Sequence, residues 1–289
     1  MAHFSLNIRS RMLDCPTDVA LIVPDAPHLE YGQPKDFYRS GKEYKVLYLL
    51  HGSNGSPTDW LHQTNLARYI KHRDVIAVMP TALNCDYANY TTFSTGFGFW
   101  DYMTEELMPL IENWFPVSKD PKDHFIAGYS MGGSGALMFG LAYPELFGGI
   151  GVLSSGLRNT EFLRPYRDLR PYELREQAVD TQRFPGFSGE GLRPRDLNMI
   201  AKYDTVGAFL DSPENTWDRY LEAQKKGNLP PIYVGCGTKD FAFPRYQQFE
   251  ALAKQLGDTN ITFESFEGYV HDLAFWDLSI QRVLDVFSI

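Results

Sequence analysis

Gly128-Tyr129-Ser130-Met131-Gly132 is the stretch that organises this chain, because it places a Gly-x-Ser-x-Gly pattern between a strand-like run and a helix-like run. Residues 124–127 have the composition of a short buried strand, and residues 131–141 are small and apolar. A sharp strand-to-helix turn needs small flanking residues, so that a strained serine can lift its hydroxyl above the sheet. The alternative is a glycine-rich turn carrying an ordinary serine, and the remaining chain must decide between the two.

Length and composition favour one globular domain with small-molecule chemistry. The chain has 289 residues, of which 44% are hydrophobic, enough for a large core. Its formal net charge of −9 disfavours nucleic acid or an anionic membrane as partner, since both select a basic face. We therefore expect a small-molecule partner, no nucleic acid and no membrane, and the sequence leaves open whether the protein forms a homo-oligomer.

Neither the N-terminus nor the cysteines suggest export or a metal site. Residues 1–9 lack an apolar run behind a basic start, and nowhere do about eighteen apolar residues follow one another. Cys15, Cys85 and Cys236 are odd in number, far apart and without metal-binding spacing. We expect a soluble, cytoplasmic protein with reduced thiols and no zinc.

Strand-like and helix-like segments alternate along most of the chain. An N-terminal hairpin is predicted over residues 4–10 and 17–23, followed by a surface loop over 24–42. Further strands are predicted at 44–50, 74–80, 124–127, 149–154, 231–236 and 261–266, and helices at 59–72, 104–115, 131–141, 217–226, 246–256 and 274–287. The pattern predicts an α/β sheet of about eight mostly parallel strands, whose ligands bind beyond the carboxyl ends of the strands.

Two segments interrupt this alternation. Residues 157–215 are rich in proline, carry eight arginines between Arg158 and Arg195, and are predicted to form a cap inserted into a single domain spanning residues 1–289. Because acidic residues are interspersed among the arginines, a salt-bridged surface is favoured over an anion-binding one. The loop 81–99 is rich in aromatic residues and either packs on the domain or lines a pocket, with neither alternative favoured.

A serine nucleophile needs a base and an acid, and two later loops provide them. His271 follows the last predicted strand and Asp240 follows the strand before it, so both lie at carboxyl ends, as Ser130 does. Asp272 and Asp211 are alternative acids, the first adjacent in sequence to His271 and the second near the cap boundary. The order Ser130, Asp240, His271 is that of the α/β-hydrolases.

An oxyanion intermediate would need two hydrogen-bond donors. The helix after Ser130 offers the backbone N–H of Met131, and the loop after the strand 44–50 offers that of Ser53. The side chain of Asn54 is an alternative to the Ser53 amide, and the loop could also be only a turn. We also expect Asn54, Trp60, Tyr129 and Phe97 to contact substrate.

Several motifs together resemble one family. They are Leu49-Leu50-His51-Gly52, Glu105-Glu106-Leu107, Gly128 to Gly133, Tyr143 to Phe147, and the segment from Asp240 to His271. The chain resembles the esterase D family of α/β-hydrolases, in particular bacterial tributyrin-type esterases, which are related to acetyl-xylan and feruloyl esterases and to S-formylglutathione hydrolases. The resemblance implies an α/β-hydrolase fold, hydrolysis of short acyl esters through an acyl-serine, no cofactor, and catalysis by Ser130, Asp240 and His271.

The function expected from the sequence is therefore that of a serine carboxylesterase acting on short-chain or aryl esters, including acetyl or feruloyl esters of sugars. The S-formylglutathione hydrolases usually carry a cysteine in the loop where this chain has Gly52-Ser53-Asn54, which disfavours the thioester substrate. Acyl transfer on the same site remains an alternative. So does a non-catalytic carbohydrate-binding or interaction protein on a hydrolase scaffold.

Overall fold

One eight-stranded sheet forms the centre of the molecule. The structure is a computed structural model and describes residues 1–26, 33–90, 97–177 and 199–289. The strands are β1 Ala2–Ser10, β2 Cys15–Val23, β3 Lys45–Leu50, β4 Val75–Pro80, β5 His124–Tyr129, β6 Gly149–Leu153, β7 Ile232–Gly237 and β8 Ile261–Phe266. Their order in the sheet is β1-β2-β4-β3-β5-β6-β7-β8. β2 is antiparallel to both β1 and β4, and every other pairing is parallel, which confirms the predicted mostly parallel sheet.

Helices cover both faces of the sheet in the part of the chain that is described. The α-helices are α1 Pro34–Tyr38, α2 Asp59–His62, α3 Leu66–Tyr69, α4 Phe99–Asp101, α5 Met108–Trp114, α6 Met131–Ala142, α7 Pro171–Gln177, α8 Val206–Leu210, α9 Thr216–Lys226, α10 Phe243–Leu256 and α11 Leu273–Val286. Central strands are apolar throughout because both of their faces are buried. In β3, Val46, Tyr48 and Leu50 belong to one core cluster, while Leu47 and Leu49 belong to the cluster on the opposite face.

Two predicted helices differ in detail from the structure. The predicted helix 59–72 is split into α2 and α3, and between them the Thr64 hydroxyl donates to the Trp60 carbonyl and so competes with helical backbone bonding. The predicted helix 104–115 begins already at Phe99 and contains a π-helical turn, Tyr102–Leu107. Pro109, which has no amide N–H to donate to an earlier carbonyl, follows that turn.

Two smaller points concern Thr104 and the predicted loop 24–42. Thr104, the first residue of the predicted helix 104–115, lies inside the π-helical turn, and its hydroxyl donates to the Trp100 carbonyl at 3.1 Å. The predicted loop 24–42 contains the short helix α1, which has proline in its first turn, where proline is favoured.

The insertion carries a small apolar cluster of its own, separate from the two clusters that flank the sheet. Leu163, Leu174, Ile200, Val206 and Phe209 are each fully buried within it. Residues 178–198, including Pro185 and Pro194 of the predicted cap, lie outside the described residues. The role of residues 157–215 as a cap over the sheet edge stays a prediction.

The turn between β5 and α6 holds Ser130 in a backbone conformation that few residues adopt. Its φ is 55° and its ψ is −116°, and its amide donates to the Leu153 carbonyl of β6 at 2.9 Å. Glycines flank it because a Cβ on Gly132 would overlap the Leu50 carbonyl, and a Cβ on Gly128 would overlap the Gly132 backbone. The predicted strained turn from strand to helix is present.

Adding a methyl group at this turn should therefore be costly. We expect Gly132→Ala to lower the free energy of unfolding by about 3 kcal/mol, the upper end of overpacking costs, because the backbone atoms of Leu50 and His51 fill the space that the new methyl group would need. Gly227→Ala is the matched control, since Gly227 has a φ of 68° but no atom within 4 Å of an added Cβ. It should cost about 1 kcal/mol from backbone strain alone. Urea unfolding measures both, and equal losses would contradict the steric argument.

Candidate active site

The carboxyl ends of three strands bring Ser130, Asp240 and His271 together. Ser130 directly follows β5, Asp240 lies three residues beyond β7, and His271 lies in the loop between β8 and α11. His271 Nε2 is 2.9 Å from Ser130 Oγ, and His271 Nδ1 is 2.9 and 3.0 Å from the two carboxylate oxygens of Asp240. The structure thus assembles the three residues that the sequence selected as nucleophile, acid and base.

The hydrogen bonds determine which imidazole nitrogen carries the proton. Nδ1 faces a carboxylate and therefore donates to it, which leaves Nε2 as the acceptor for the Ser130 hydroxyl. The Asp240 side chain is fully buried, whereas that of His271 is 18% exposed. The His271 imidazole is therefore accessible to a bound molecule, while the Asp240 carboxylate stays shielded from water.

Asp240 is ionised in spite of its burial. Burial alone raises the pKa of this carboxyl, but hydrogen bonds from His271, from the Ser154 hydroxyl and from the Ala242 amide outweigh it, and the pKa lies below its ordinary value. The Ala242 N–H donates to Oδ1 at 2.7 Å. A carboxylate held in this way orients the imidazole and stabilises its charged form.

Ser154 is a residue that the sequence reasoning missed. It is buried at the end of β6 with a φ of 51°, and its Oγ accepts a hydrogen bond of 2.8 Å from Trp276 Nε1. Because this bond occupies a lone pair of Oγ, the Ser154 hydroxyl proton is directed to Asp240. The hydrogen bond from Ser154 lowers the pKa of the Asp240 carboxyl. The position of Ser154 in the sequence could have identified it, because it directly follows β6, and β6 lies between the two strands that Ser130 and Asp240 follow.

Two aromatic rings enclose the imidazole of His271. Phe241 lies 4.1 Å away between ring centroids and is 59% exposed, and Trp276 meets the imidazole edge-on at 5.1 Å. Neither ring was selected from the sequence, although Phe241 directly follows Asp240. An exposed ring beside the base is in a position to contact the substrate.

The loop predicted to bind the oxyanion lies beside the nucleophile. A Cβ added to Gly52 would overlap the Tyr129 ring and lie 3.3 Å from the Ser130 Cβ, so only glycine permits this approach. His51 anchors the loop, because Ala82 N–H donates to its Nε2 at 3.0 Å and its Nδ1 is 2.7 Å from the Gly52 carbonyl. Burial lowers the pKa of His51, which therefore acts as a neutral structural residue.

Trp60 and Tyr129 support this loop from inside the protein, which contradicts their predicted contact with substrate. Trp60 is 1% exposed and its Nε1 donates to the Leu50 carbonyl at 3.2 Å. Tyr129 is 5% exposed and its hydroxyl donates to Asp59 at 2.8 Å. Both side chains are occupied by core packing, and Tyr129 packs in this way although it is adjacent to Ser130 in sequence.

Asn54 and Phe97 lie on the surface and stay candidates for substrate contact. The Asn54 N–H donates to Asn84 Oδ1 at 2.6 Å, and its own Oδ1 accepts from Asn84 Nδ2 at 2.9 Å. These bonds engage the Asn54 N–H and Oδ1 but not its Nδ2, so the Asn54 side chain stays an alternative to the Ser53 amide as oxyanion donor. Phe97 is 37% exposed and lies 5.6 Å from the Tyr90 ring.

Part of the aromatic loop packs onto the domain. Tyr87 and Phe99 are buried, and the Tyr87 hydroxyl donates to the His51 carbonyl at 3.1 Å. Phe93 and Gly96 fall outside the described residues. Tyr87 therefore packs beneath the loop after β3, whereas Phe97 stays exposed.

The alternative acids have structural roles. Asp272 caps α11 by accepting from the Phe275 N–H at 3.1 Å, and Asp211 forms a 2.7 Å ion pair with Arg167. Arg164 likewise pairs with Asp218 at 2.6 Å, which agrees with the predicted salt-bridged surface. The side chains of the arginines from 175 to 195 lie outside the described part.

The described residues contain neither a cluster of metal ligands nor a helix suited to cross a membrane. Across residues 1–26, 33–90, 97–177 and 199–289, no three His, Cys, Asp or Glu side chains are grouped as a metal site would require. None of the helices in these ranges combines the length and apolar character that crossing a bilayer demands. Cys15 is exposed, Cys85 and Cys236 are buried, and all three are free thiols.

Comparison with known proteins gives consistent matches. Residues 27–280 match the family model described as "Putative esterase". The chain is 29% identical over 289 residues to an acetyl esterase of Caldicellulosiruptor saccharolyticus, covering 100% of this chain and 98% of that one. It is 30% identical over 214 residues to an endo-1,4-beta-xylanase/feruloyl esterase of Xylanibacter ruminicola, covering 68% of this chain and 28% of the longer relative.

Solved structures show the same fold. The S-formylglutathione hydrolase of Staphylococcus aureus superposes with a TM-score of 0.74 over 100% of this chain and 99% of its own, at 22% identity. At that identity the likeness is evidence of fold alone, whereas the family match covers most of the sequence. The chain therefore belongs to the esterase family: it has the α/β-hydrolase fold and is a carboxylic ester hydrolase.

Proposed function

We propose that Ser130, His271 and Asp240 are the catalytic triad of a serine esterase that removes short acyl groups, acetyl above all, from sugar hydroxyls. The observation that carries the proposal is the continuous hydrogen-bonded line from Ser130 Oγ through His271 to the buried Asp240. Each bond is about 3 Å long and each residue follows a strand of one sheet. Such a line converts a weak hydroxyl nucleophile into an alkoxide equivalent at the moment of attack.

Acylation proceeds in two proton transfers through His271. Ser130 Oγ attacks the ester carbonyl carbon while its proton passes to His271 Nε2, and the carbonyl oxygen becomes an oxyanion. The oxyanion accepts hydrogen bonds from the Met131 and Ser53 amides, with the N-terminal end of α6 adding a favourable dipole. His271 then gives the proton to the departing alcohol oxygen, and the acyl group stays on Ser130.

Deacylation repeats these steps with water in place of the serine. His271 Nε2 takes a proton from water, whose oxygen attacks the acyl carbonyl. Collapse of the second tetrahedral intermediate returns the proton to Ser130 Oγ and releases the carboxylic acid. Asp240 stays ionised throughout and stabilises the imidazolium that forms in each half of the cycle.

The choice of an acyl sugar is supported by the sequence relatives. The relative aligned over the whole chain is named an acetyl esterase, and a second is named a xylanase/feruloyl esterase. An S-formylglutathione substrate has weaker support, because Ser53 occupies the loop where those hydrolases usually carry cysteine. We infer a reducing compartment such as the cytoplasm, which suits three free thiols, one of them exposed.

The nucleophile can be tested directly. We expect Ser130→Ala to lower kcat/KM for both p-nitrophenyl acetate and xylose tetraacetate by at least about a thousandfold, since the whole triad acts through this oxygen. Labelling by a fluorophosphonate probe should disappear as well. Ser40→Ala, in the exposed turn after α1, is the control and should retain both activities. Wild-type rates or labelling in Ser130→Ala would refute the proposed mechanism.

Ser154 should act as a positioning residue. Its replacement by alanine removes one of the donors that lower the pKa of Asp240, so the acidic limb of the pH profile of kcat/KM should move to higher pH. We expect kcat to fall about tenfold, the equivalent of one hydrogen bond to a charged group, with KM little changed.

Ser155→Ala is the matched control for this effect. Ser155 is equally buried, but its hydroxyl pairs with Ser134 Oγ at 2.8 Å and not with Asp240. The pH profile of kcat/KM of the Ser155→Ala enzyme should therefore coincide with that of the wild type. A Ser154→Ala enzyme with an unshifted profile would show that Ser154 contributes packing alone.

A further inference from the structure

Phe241, the residue after Asp240, presents an exposed aromatic ring beside the proposed general base. Its ring centroid lies 4.1 Å from that of the His271 imidazole, at an interplanar angle of 36°. Phe241 is 59% exposed, whereas Trp276, which meets the imidazole edge-on, is 8% exposed. Of these two rings, Phe241 is therefore the one that a bound molecule can cover.

Hydrogen bonds hold the backbone of Phe241 in a turn. The Phe243 N–H donates to the Asp240 carbonyl at 3.0 Å, and the Ala242 N–H donates to the Asp240 carboxylate at 2.7 Å. The same bonds that keep the carboxylate in place thus fix the backbone that carries the ring. Because this backbone is already ordered, a ligand that packs on the ring has little ordering cost to offset.

Exposure alone does not identify a binding residue, because single apolar side chains are common on protein surfaces. Phe241 differs from such residues in its neighbour. It packs against His271, whose Nε2 lies 2.9 Å from Ser130 Oγ and passes each proton of the proposed reaction. A molecule that reacts with Ser130 must come within hydrogen-bond distance of the same imidazole, and so close to this ring.

The order of the strands decides which part of an ester meets the ring. Along the carboxyl edge of the sheet, the loop after β3 lies on one side of Ser130, and the loops after β7 and β8 lie on the other. In the proposed mechanism the carbonyl oxygen turns toward the first loop, which offers the Ser53 amide. The alcohol oxygen turns toward His271, which gives it a proton. The alcohol therefore extends toward the side of the sheet that carries Phe241.

We propose that Phe241 binds the alcohol part of the ester, as an aromatic platform on which the apolar C–H face of a sugar ring packs. This inference rests on the proposed function and assigns one residue that determines its choice of alcohol. Packing of the two apolar faces removes both from water, while the sugar hydroxyls at the rim stay in solvent. An alcohol of one carbon is too small to cover the ring.

The contact can be measured as a ratio, namely kcat/KM for xylose tetraacetate divided by kcat/KM for methyl acetate. Both esters deliver an acetyl group to Ser130, so the ratio reports on the alcohol. We expect Phe241→Ala to lower the ratio about fivefold to twentyfold, the loss expected when a ring that is 59% exposed no longer becomes buried by the substrate. Phe241→Tyr keeps the ring and should keep the wild-type ratio.

Trp114→Ala is the matched control. Trp114 is also 59% exposed, but it is the last residue of α5. Two residues later, the Pro116 carbonyl accepts from the Tyr44 N–H at 2.8 Å, just before β3 begins, so Trp114 lies toward the amino ends of the strands. The Trp114→Ala enzyme should therefore have the wild-type ratio.

Two further measurements separate alcohol binding from other roles of Phe241. A ring that contacts the acyl group would change the ratio of kcat/KM for p-nitrophenyl butyrate to that for p-nitrophenyl acetate, which we expect Phe241→Ala to leave at the wild-type value. A ring that only supports the imidazole would, when removed, slow all esters alike and shift the pH profile of kcat/KM. If the Phe241→Ala enzyme has the wild-type ratio for xylose tetraacetate over methyl acetate, the inference is wrong.

Thermal unfolding verifies that each variant is folded. If Phe241→Ala does not fold, Phe241→Leu decides, because it keeps an apolar side chain without an aromatic face and should lower the same ratio at least about twofold. Failure of the proposed function gives a different result. A wild type that hydrolyses methyl and p-nitrophenyl acetates but not xylose tetraacetate would contradict the sugar substrate, and the ratio of p-nitrophenyl acetate to methyl acetate would then test Phe241, since that alcohol is also a ring.

Discussion

The contact on which the proposed site depends is the close approach of Gly132, at the start of α6, to the carbonyl of Leu50, at the end of β3. Because β3 and β5 are parallel and Leu50 pairs with Gly128, both strands end at the same level. The chain must then turn sharply after β5, which places Ser130 at a φ of 55°. The same approach carries the loop after Leu50 to the side of Ser130, so one steric constraint positions both the nucleophile and the oxyanion loop.

A second constraint is the balance at Asp240 between burial and hydrogen bonding. A buried carboxyl without donors would hold its proton and could not stabilise an imidazolium. His271, Ser154 and the Ala242 amide reverse that preference, and Ser154 is in turn oriented by Trp276 on α11. Residues from β6, from the loop after β7 and from α11 therefore act on one carboxylate. The acid depends on the packing of three elements that lie far apart in sequence.

The positions of the strands along the chain and the grouping of Ser130, Asp240 and His271 could be predicted because each depends on local signals. An apolar run followed by a polar residue marks the carboxyl end of a buried strand, and Ser130, Asp240 and His271 all carry that mark. Trp60 and Tyr129 could not be placed in the same way, since tertiary contacts decide whether an aromatic ring packs inward or faces solvent. Ser154 could not be predicted because its orientation depends on a hydrogen bond from Trp276, which lies 122 residues later in the chain. The ion pair between Lys202 and Asp86, whose Nζ and Oδ2 atoms lie 3.3 Å apart, could not be predicted either, because nothing in the sequence around one residue specifies the other.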